Sequence, residues 1–204
     1  MLIFEYKLRA NKAQQAAIEE AIRTTQFIRN KCLRLWMDGR GVGDNDLQVY
    51  CSQLANDHPF AARLNSQARQ TAADRAWLSI ARFYKHCREK KPGKKGYPAF
   101  QHDNRSVEYK TTGWKLEPDG KRLTFTDGHG IGTLRLIGTR TIETFPTSQI
   151  KRVRLLRRAD VRAASVGWLS APEVPTSAAG LRPIATLRPA GLVLPGRPDG
   201  TYQF

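Results

Sequence analysis

Apolar residues change their spacing twice along this chain, and each spacing suits only one kind of backbone. Leu2, Phe4, Tyr6 and Leu8 alternate with Ile3, Glu5, Lys7 and Arg9, the period of two that gives a strand one buried face. From Ile18 the spacing lengthens. Ile18, Ala21, Ile22, Thr25, Ile28, Cys32 and Trp36 recur every third or fourth residue and predict a helix over 12–37, with Asn11 and Gln14 placed as a capping box at its start. The glycines of Asp38-Gly39-Arg40-Gly41-Val42-Gly43 end it, and Leu47, Tyr50, Cys51 and Leu54 mark a shorter helix before Pro59.

Asn65 or Ser66 can cap a third helix, whose Ala73, Ala76, Trp77, Ile80, Tyr84 and Cys87 share one face while Arg75, Arg82 and Lys85 fall opposite. An apolar stripe with aromatics is core far more often than a stacking platform, so Trp77 and Tyr84 are assigned to the core. Pro92 biases its predecessor away from helical geometry, which predicts an end near Lys91. From Tyr97 the spacing shortens again. Ser106 to Lys110, Trp114 to Leu116, Lys121 to Thr126, Gly132 to Ile137 and Ile150 to Arg157 are short β-like runs, with Glu117-Pro118-Asp119-Gly120 as a hairpin turn between the second and third. The class is α+β, and the later runs describe a small β-barrel or a curled sheet. In 150–158 Val153 and Leu155 share a face, with Arg152, Arg154 and Arg158 on the other.

Between helix and strands lies Arg88-Glu89-Lys90-Lys91-Pro92-Gly93-Lys94-Lys95-Gly96-Tyr97-Pro98-Ala99-Phe100. Its cations can neutralise phosphates and release counterions, its glycines let main chain approach closely, and its rings can stack on unpaired bases. A solvated basic linker is the other reading of such a run. The whole chain favours the first: 34 Lys and Arg against 18 Asp and Glu in 204 residues give a formal net charge of +16, a polyanion-binding balance. The candidate nucleic-acid contacts are therefore Arg75, Arg82, Lys85, Lys90, Lys91, Lys94, Lys95, Tyr97, Arg152 and Arg154.

Catalytic signals are sparse. No GxxxxGK[ST], GxGxxG, HExxH or GxSxG occurs, and His58, His86, His102 and His129 have no metal-ligand spacing. Carboxylates for a two-metal site would have to come from Asp44, Asp46, Asp103, Asp119, Asp127 or Asp160, most of which read as helix caps and turn formers. Cys32, Cys51 and Cys87 are widely spaced among apolar helical neighbours and read as buried free thiols. Met1 to Leu8 is no signal peptide and no window is apolar enough to span a bilayer, so a cytoplasmic protein without membrane partners is expected. After Asp160 lysine disappears. The segment 161–204 holds six of the eleven prolines and shows no period, so it reads as an irregular tail with the residue mixture of a GC-rich gene read out of frame.

The order of these segments resembles a known family. Tyr6-Lys7-Leu8-Arg9-Ala10-Asn11-Lys12-Ala13-Gln14, followed by Ile22-Arg23-Thr24-Thr25-Gln26-Phe27-Ile28-Arg29-Asn30-Lys31, resembles the opening of TnpB, the transposon-encoded OrfB-type protein related to type V CRISPR effectors, also described as a helix-turn-helix. Leu64 to Cys87 running into Lys94-Lys95-Gly96-Tyr97-Pro98-Ala99-Phe100 is similar to its second helical stretch and KKGYPxF junction, and Asp119 to Leu123 and Ile150 to Val153 are similar to its later strands.

The resemblance covers roughly residues 1–158. It implies a helical recognition-type lobe, 11–91, inserted after the first strand, 1–10, of a small wedge-like β-barrel completed by 92–160. It also implies guide-type RNA and target DNA as partners, with pairing reading sequence and protein reading shape and a short flanking motif. Family members continue into a RuvC-like nuclease with a G-[IV]-D-x-G segment and a Cys-x-x-Cys zinc ribbon, which have no counterpart after Asp160. A truncated, binding-only TnpB-like protein without catalytic residues is expected, magnesium and zinc belonging to the absent nuclease part. A stand-alone repressor or RNA chaperone and a ribosome-associated factor are the alternatives.

Overall fold

The computed structural model describes residues 2–90, 92–110, 112–137, 150–157 and 165–171, all within the compact unit Met1–Glu173. A strand β1 (Leu2–Arg9) leads into helices α1 (Lys12–Asp38), α2 (Asp44–Asp57), α3 (Pro59–Arg63) and α4 (Ser66–Arg88). Strands β2 (Ser106–Lys110), β3 (Trp114–Leu116), β4 (Arg122–Phe125), β5 (Gly132–Ile137), β6 (Arg152–Leu156) and β7 (Ser165–Ala171) follow. None of the described helices is long and apolar enough to cross a membrane.

Local chemistry sets the helix starts. The Asn11 side chain accepts from the Gln14 main chain at 2.8 Å, and Gln14 Oε1 accepts from Asn11 N at 3.1 Å, which satisfies two orphan donors reciprocally. The Gln14 amide also donates to the main-chain oxygens of Ile131 and Thr133, tying the helix start to β5. Asn65 caps α4 by accepting from Gln67 N at 2.8 Å and reaches Thr126 O at 2.7 Å with its amide nitrogen. Each cap thus joins helix to sheet as well as ending a helix.

Helix packing runs on small residues. Ala68, Ala72 and Ala76 recur every fourth position on α4 and are fully buried, so their ridge lets α4 lie close to α1 and α2. Ile28, Cys32 and Leu33 of α1 and Leu47, Cys51 and Leu54 of α2 fill the rest of this core. Burial, with the neighbouring Cys51 second, pushes the Cys32 thiol up to about 12, so it stays a neutral core group. Cys87 is exposed, against expectation, and so is Tyr84. Both lie in the last turns of α4, beyond Ile80, the last buried residue of that helix. The helix ends at Arg88 rather than Lys91, with Lys90 at φ 49°.

The seven strands form one antiparallel sheet in the order β2-β6-β7-β1-β5-β4-β3. No ladder joins β2 to β3 among the described residues, so the expected barrel is not closed. The sheet must still curl, because its two outermost strands are only four residues apart in the chain, from Lys110 to Trp114, a reach of about 14 Å. The tail expected to be irregular from residue 161 contributes strand β7, which fills the gap between β6 and β1; residues 172–204 lie outside the described part. The hairpin turn at Glu117-Pro118-Asp119-Gly120 forms as expected, with Gly120 at φ 62°.

The Asp127-Gly128-His129-Gly130 turn is a structural latch. Asp127 accepts from His129 N at 2.7 Å and from the buried Tyr109 hydroxyl at 2.8 Å, and Gly128 N donates to Arg63 O at 2.8 Å. A Cβ at Gly128 would sit 3.0 Å from Arg63 O and 3.1 Å from its Cα, both main-chain atoms that cannot swing away. Gly128→Ala is therefore expected to cost about 2 kcal/mol in a denaturant titration, a loss of the size that overpacking produces.

Candidate nucleic-acid interface

The junction after α4 is not a free linker along its whole length. From Tyr97 to Asn104 the chain runs antiparallel along α1, its main chain held by α1 side chains. Asn30 accepts from Gln101 N at 2.9 Å and donates to Gln101 O at 2.8 Å. Gln26 accepts from Asn104 N at 2.8 Å, and the Asn104 amide donates to Ile22 O at 3.1 Å. Arg29 donates to Ala99 O at 3.2 Å. These side-chain bonds do for an irregular segment what a ladder does for a strand.

That docking places aromatic rings at the surface. Tyr97 is 59% exposed and lies against Trp36, with ring centroids 5.6 Å apart, and against Phe83 at 5.2 Å. Tyr84 is 48% exposed, packs edge-on to Trp36 at 5.9 Å and accepts a 2.8 Å hydrogen bond from its indole N–H. The rings are thus supported from below and open above, the geometry of a stacking surface. Tyr84 belongs to this surface rather than to the core.

Cations flank the rings in the chain. Lys85, Arg88, Lys90 and Lys94 are exposed, and Lys95 is half-buried. Lys85 makes only an exposed i,i+4 pair with Glu89 at 3.7 Å, a contact of little strength in water. The ring Nδ1 of His86 lies 3.1 Å from the main-chain oxygen of Lys95, fixing that end of the loop to α4. Arg82 is exposed on α4. Lys91 lies outside the described residues.

Three of the expected contacts are placed elsewhere. Arg75 turns inward onto β2, where it donates to Ser106 O at 3.2 Å and reaches Glu108 at 3.4 Å, with 19% of its side chain exposed. Arg152 donates to Glu108 Oε1 at 2.9 Å, and Arg154, directly opposite Glu108 in the β2–β6 ladder, grips Oε2 through Nε at 2.8 Å and through Nη2. Glu108 is only 3% exposed. Burial pushes its carboxyl up, but hydrogen bonds and charge from Arg154, Arg152 and Arg75 outweigh that and hold it below the usual carboxylate range. The cluster keeps an excess of positive charge, yet Arg75 is a brace between α4 and the sheet.

Four of the aspartates considered for metal chemistry, Asp127 of the latch among them, have other work. Asp46 accepts from Gly43 N at 2.8 Å at the start of α2, Asp119 accepts from Lys121 N at 3.0 Å in its hairpin, and Asp103 pairs with Arg105 and Arg157. Asp160 lies outside the described residues. No group of three His, Cys, Asp or Glu side chains is placed to hold a metal ion among the described residues. No family model matches the chain, and no curated protein matches its sequence.

Proposed function

We propose that this chain is a TnpB-like nucleic-acid-binding protein that grips the backbone of a guide-type RNA or of its target DNA. The observation that supports it most is the pair of exposed, propped-up tyrosines, Tyr84 and Tyr97, set among Lys85, Arg88, Lys90 and Lys94. Cations alone are common on solvated surfaces; cations around open rings suit an extended, partly unpaired strand. In this reading the curled sheet corresponds to the wedge-like element of that family and α1–α4 to its recognition lobe.

The test is binding of the purified chain to labelled single-stranded RNA, single-stranded DNA and duplex DNA between about 50 and 200 mM salt. Affinity is expected to fall steeply with salt on all of them, by roughly a thousandfold if six phosphates are contacted. Sequencing of RNA that co-purifies separates the readings. One transposon-end transcript supports the TnpB-like assignment, whereas ribosomal RNA would reassign the chain to a ribosome-associated factor. Failure to bind at the lowest salt would remove the proposal.

A further inference from the structure

On the outer face of α1, away from the tyrosine pair, the same docked segment builds a cleft of about 390 Å³. Arg23, Phe27, Lys31 and Arg34 fall at intervals of four, four and three residues, which sets them along one helix face. Phe100 of the docked segment closes the opposite wall, with Gln26 and Asn30 between. The walls hold three cations and two aromatic rings and no carboxylate.

Two features point to what this cleft suits. The Arg34 guanidinium lies 5.1 Å from the Phe100 ring centre and the Lys31 ammonium 5.6 Å from that of Phe27, so each ring already carries a cation at its face or edge. Behind the cleft, the buried Arg29 guanidinium donates, among the described residues, to the neutral oxygens Asn30 Oδ1 and Ala99 O, each at 3.2 Å. Arg29 does not line the cleft, but with no carboxylate bonded to it among the described residues it adds positive charge beneath Asn30 and Ala99; burial holds its pKa below the usual arginine value. The acids near the rim are paired only in exposed helical contacts, Glu20 with Arg23 at 3.2 Å and Asp38 with Arg34 at 3.6 Å, which an incoming phosphate can displace.

We infer that this cleft holds one unpaired nucleotide, its base against the Phe27 and Phe100 rings and its phosphate on Arg23, Lys31 and Arg34. The volume lies in the range of small-molecule sites, and a ring-lined, cation-rimmed cleft matches a flat aromatic group joined to an anion. A base within a duplex is stacked on both sides and cannot enter, so the site adds affinity for single strands alone. The inference rests on the nucleic-acid reading above and adds to it a place where one base leaves the stack.

The experiment compares a labelled ten-nucleotide single-stranded RNA with a blunt duplex of the same sequence, on the full chain and on Phe100→Leu and Lys31→Gln. Leucine keeps apolar bulk in a half-buried position, and Lys31 is exposed, so Lys31→Gln tests the cleft even if Phe100→Leu unfolds. Phe100→Leu is expected to weaken single-strand binding about tenfold, the loss typical of a stacked base, with duplex binding changed less than about twofold. Lys31→Gln is expected to weaken single-strand binding about threefold, one phosphate's share. An RNA carrying a single 4-thiouridine is expected to crosslink within residues 23–34 or 97–101. Equal losses on both probes, or crosslinks confined to other segments, would overturn the inference while leaving nucleic-acid binding in place. If neither probe binds the unaltered chain, both fall together.

Discussion

Replacing Glu108 by glutamine is expected to destabilise the chain by about 3 kcal/mol and to lower its melting temperature by about 10 °C. The side chain is buried and receives Arg75, Arg152 and Arg154, which belong to α4 and β6. Without the carboxylate, three guanidiniums face each other across the helix–sheet boundary, and the half-buried Arg75 keeps its charge with no anion beside it. Arg152 and Arg154 are nearly half exposed and recover part of their hydration, which places the cost at the low end for a broken buried pair.

The acid dependence follows from the lowered pKa of Glu108. A carboxyl ionised more easily in the folded than in the unfolded chain stabilises fully above the unfolded value, about 4.5, and loses that contribution as pH falls through the folded value. The gap in melting temperature between the native chain and Glu108→Gln should therefore be full at neutral pH and narrow below about pH 4. A gap that stayed constant into acid would mean that Glu108 acts through packing alone.

The second large effect concerns binding. Replacing Lys90, Lys91, Lys94 and Lys95 together by glutamine is expected to weaken binding to every sequence, by about tenfold or more at low salt. The slope of log affinity against log salt should fall by about 3, close to one unit for each phosphate that is no longer neutralised. Selectivity among sequences should stay as it was, since backbone contacts carry none. An unchanged slope would make the stretch from Lys90 to Lys95 a solvated connector.

Much of the fold was legible from spacing. The helices over 12–37 and from residue 66, the strands β2 to β5 and the 117–120 turn lie within a few residues of where apolar period and turn chemistry put them, because those signals are local. What stayed hidden depends on partners far away in the chain. Arg75 sits among polar-face residues of α4, and only the arrival of β2 shows that Glu108 claims it. Tyr84 continues the apolar stripe of α4, but the stripe outlasts the core that covers it. The cleft on α1 combines a helix face with a segment some 70 residues later, so no window of sequence contains it. Strand β7, with Val166 and Trp168 two apart but Leu169 off phase and proline-rich sequence after it, carries too short an alternation to stand out.

The position of β1 has a consequence for biosynthesis. It leaves the ribosome ahead of the other described strands, yet its neighbours in the sheet are β5 and β7. At roughly 5–20 residues per second, β5 emerges about ten seconds after β1. The helices, which pack largely on one another, can assemble during that wait while β1 stays a bare edge, the kind of surface that recruits stray strands. Holdase chaperones should thus be needed most while translation stands between the end of α4 and the end of β7, when both neighbours of β1 have emerged.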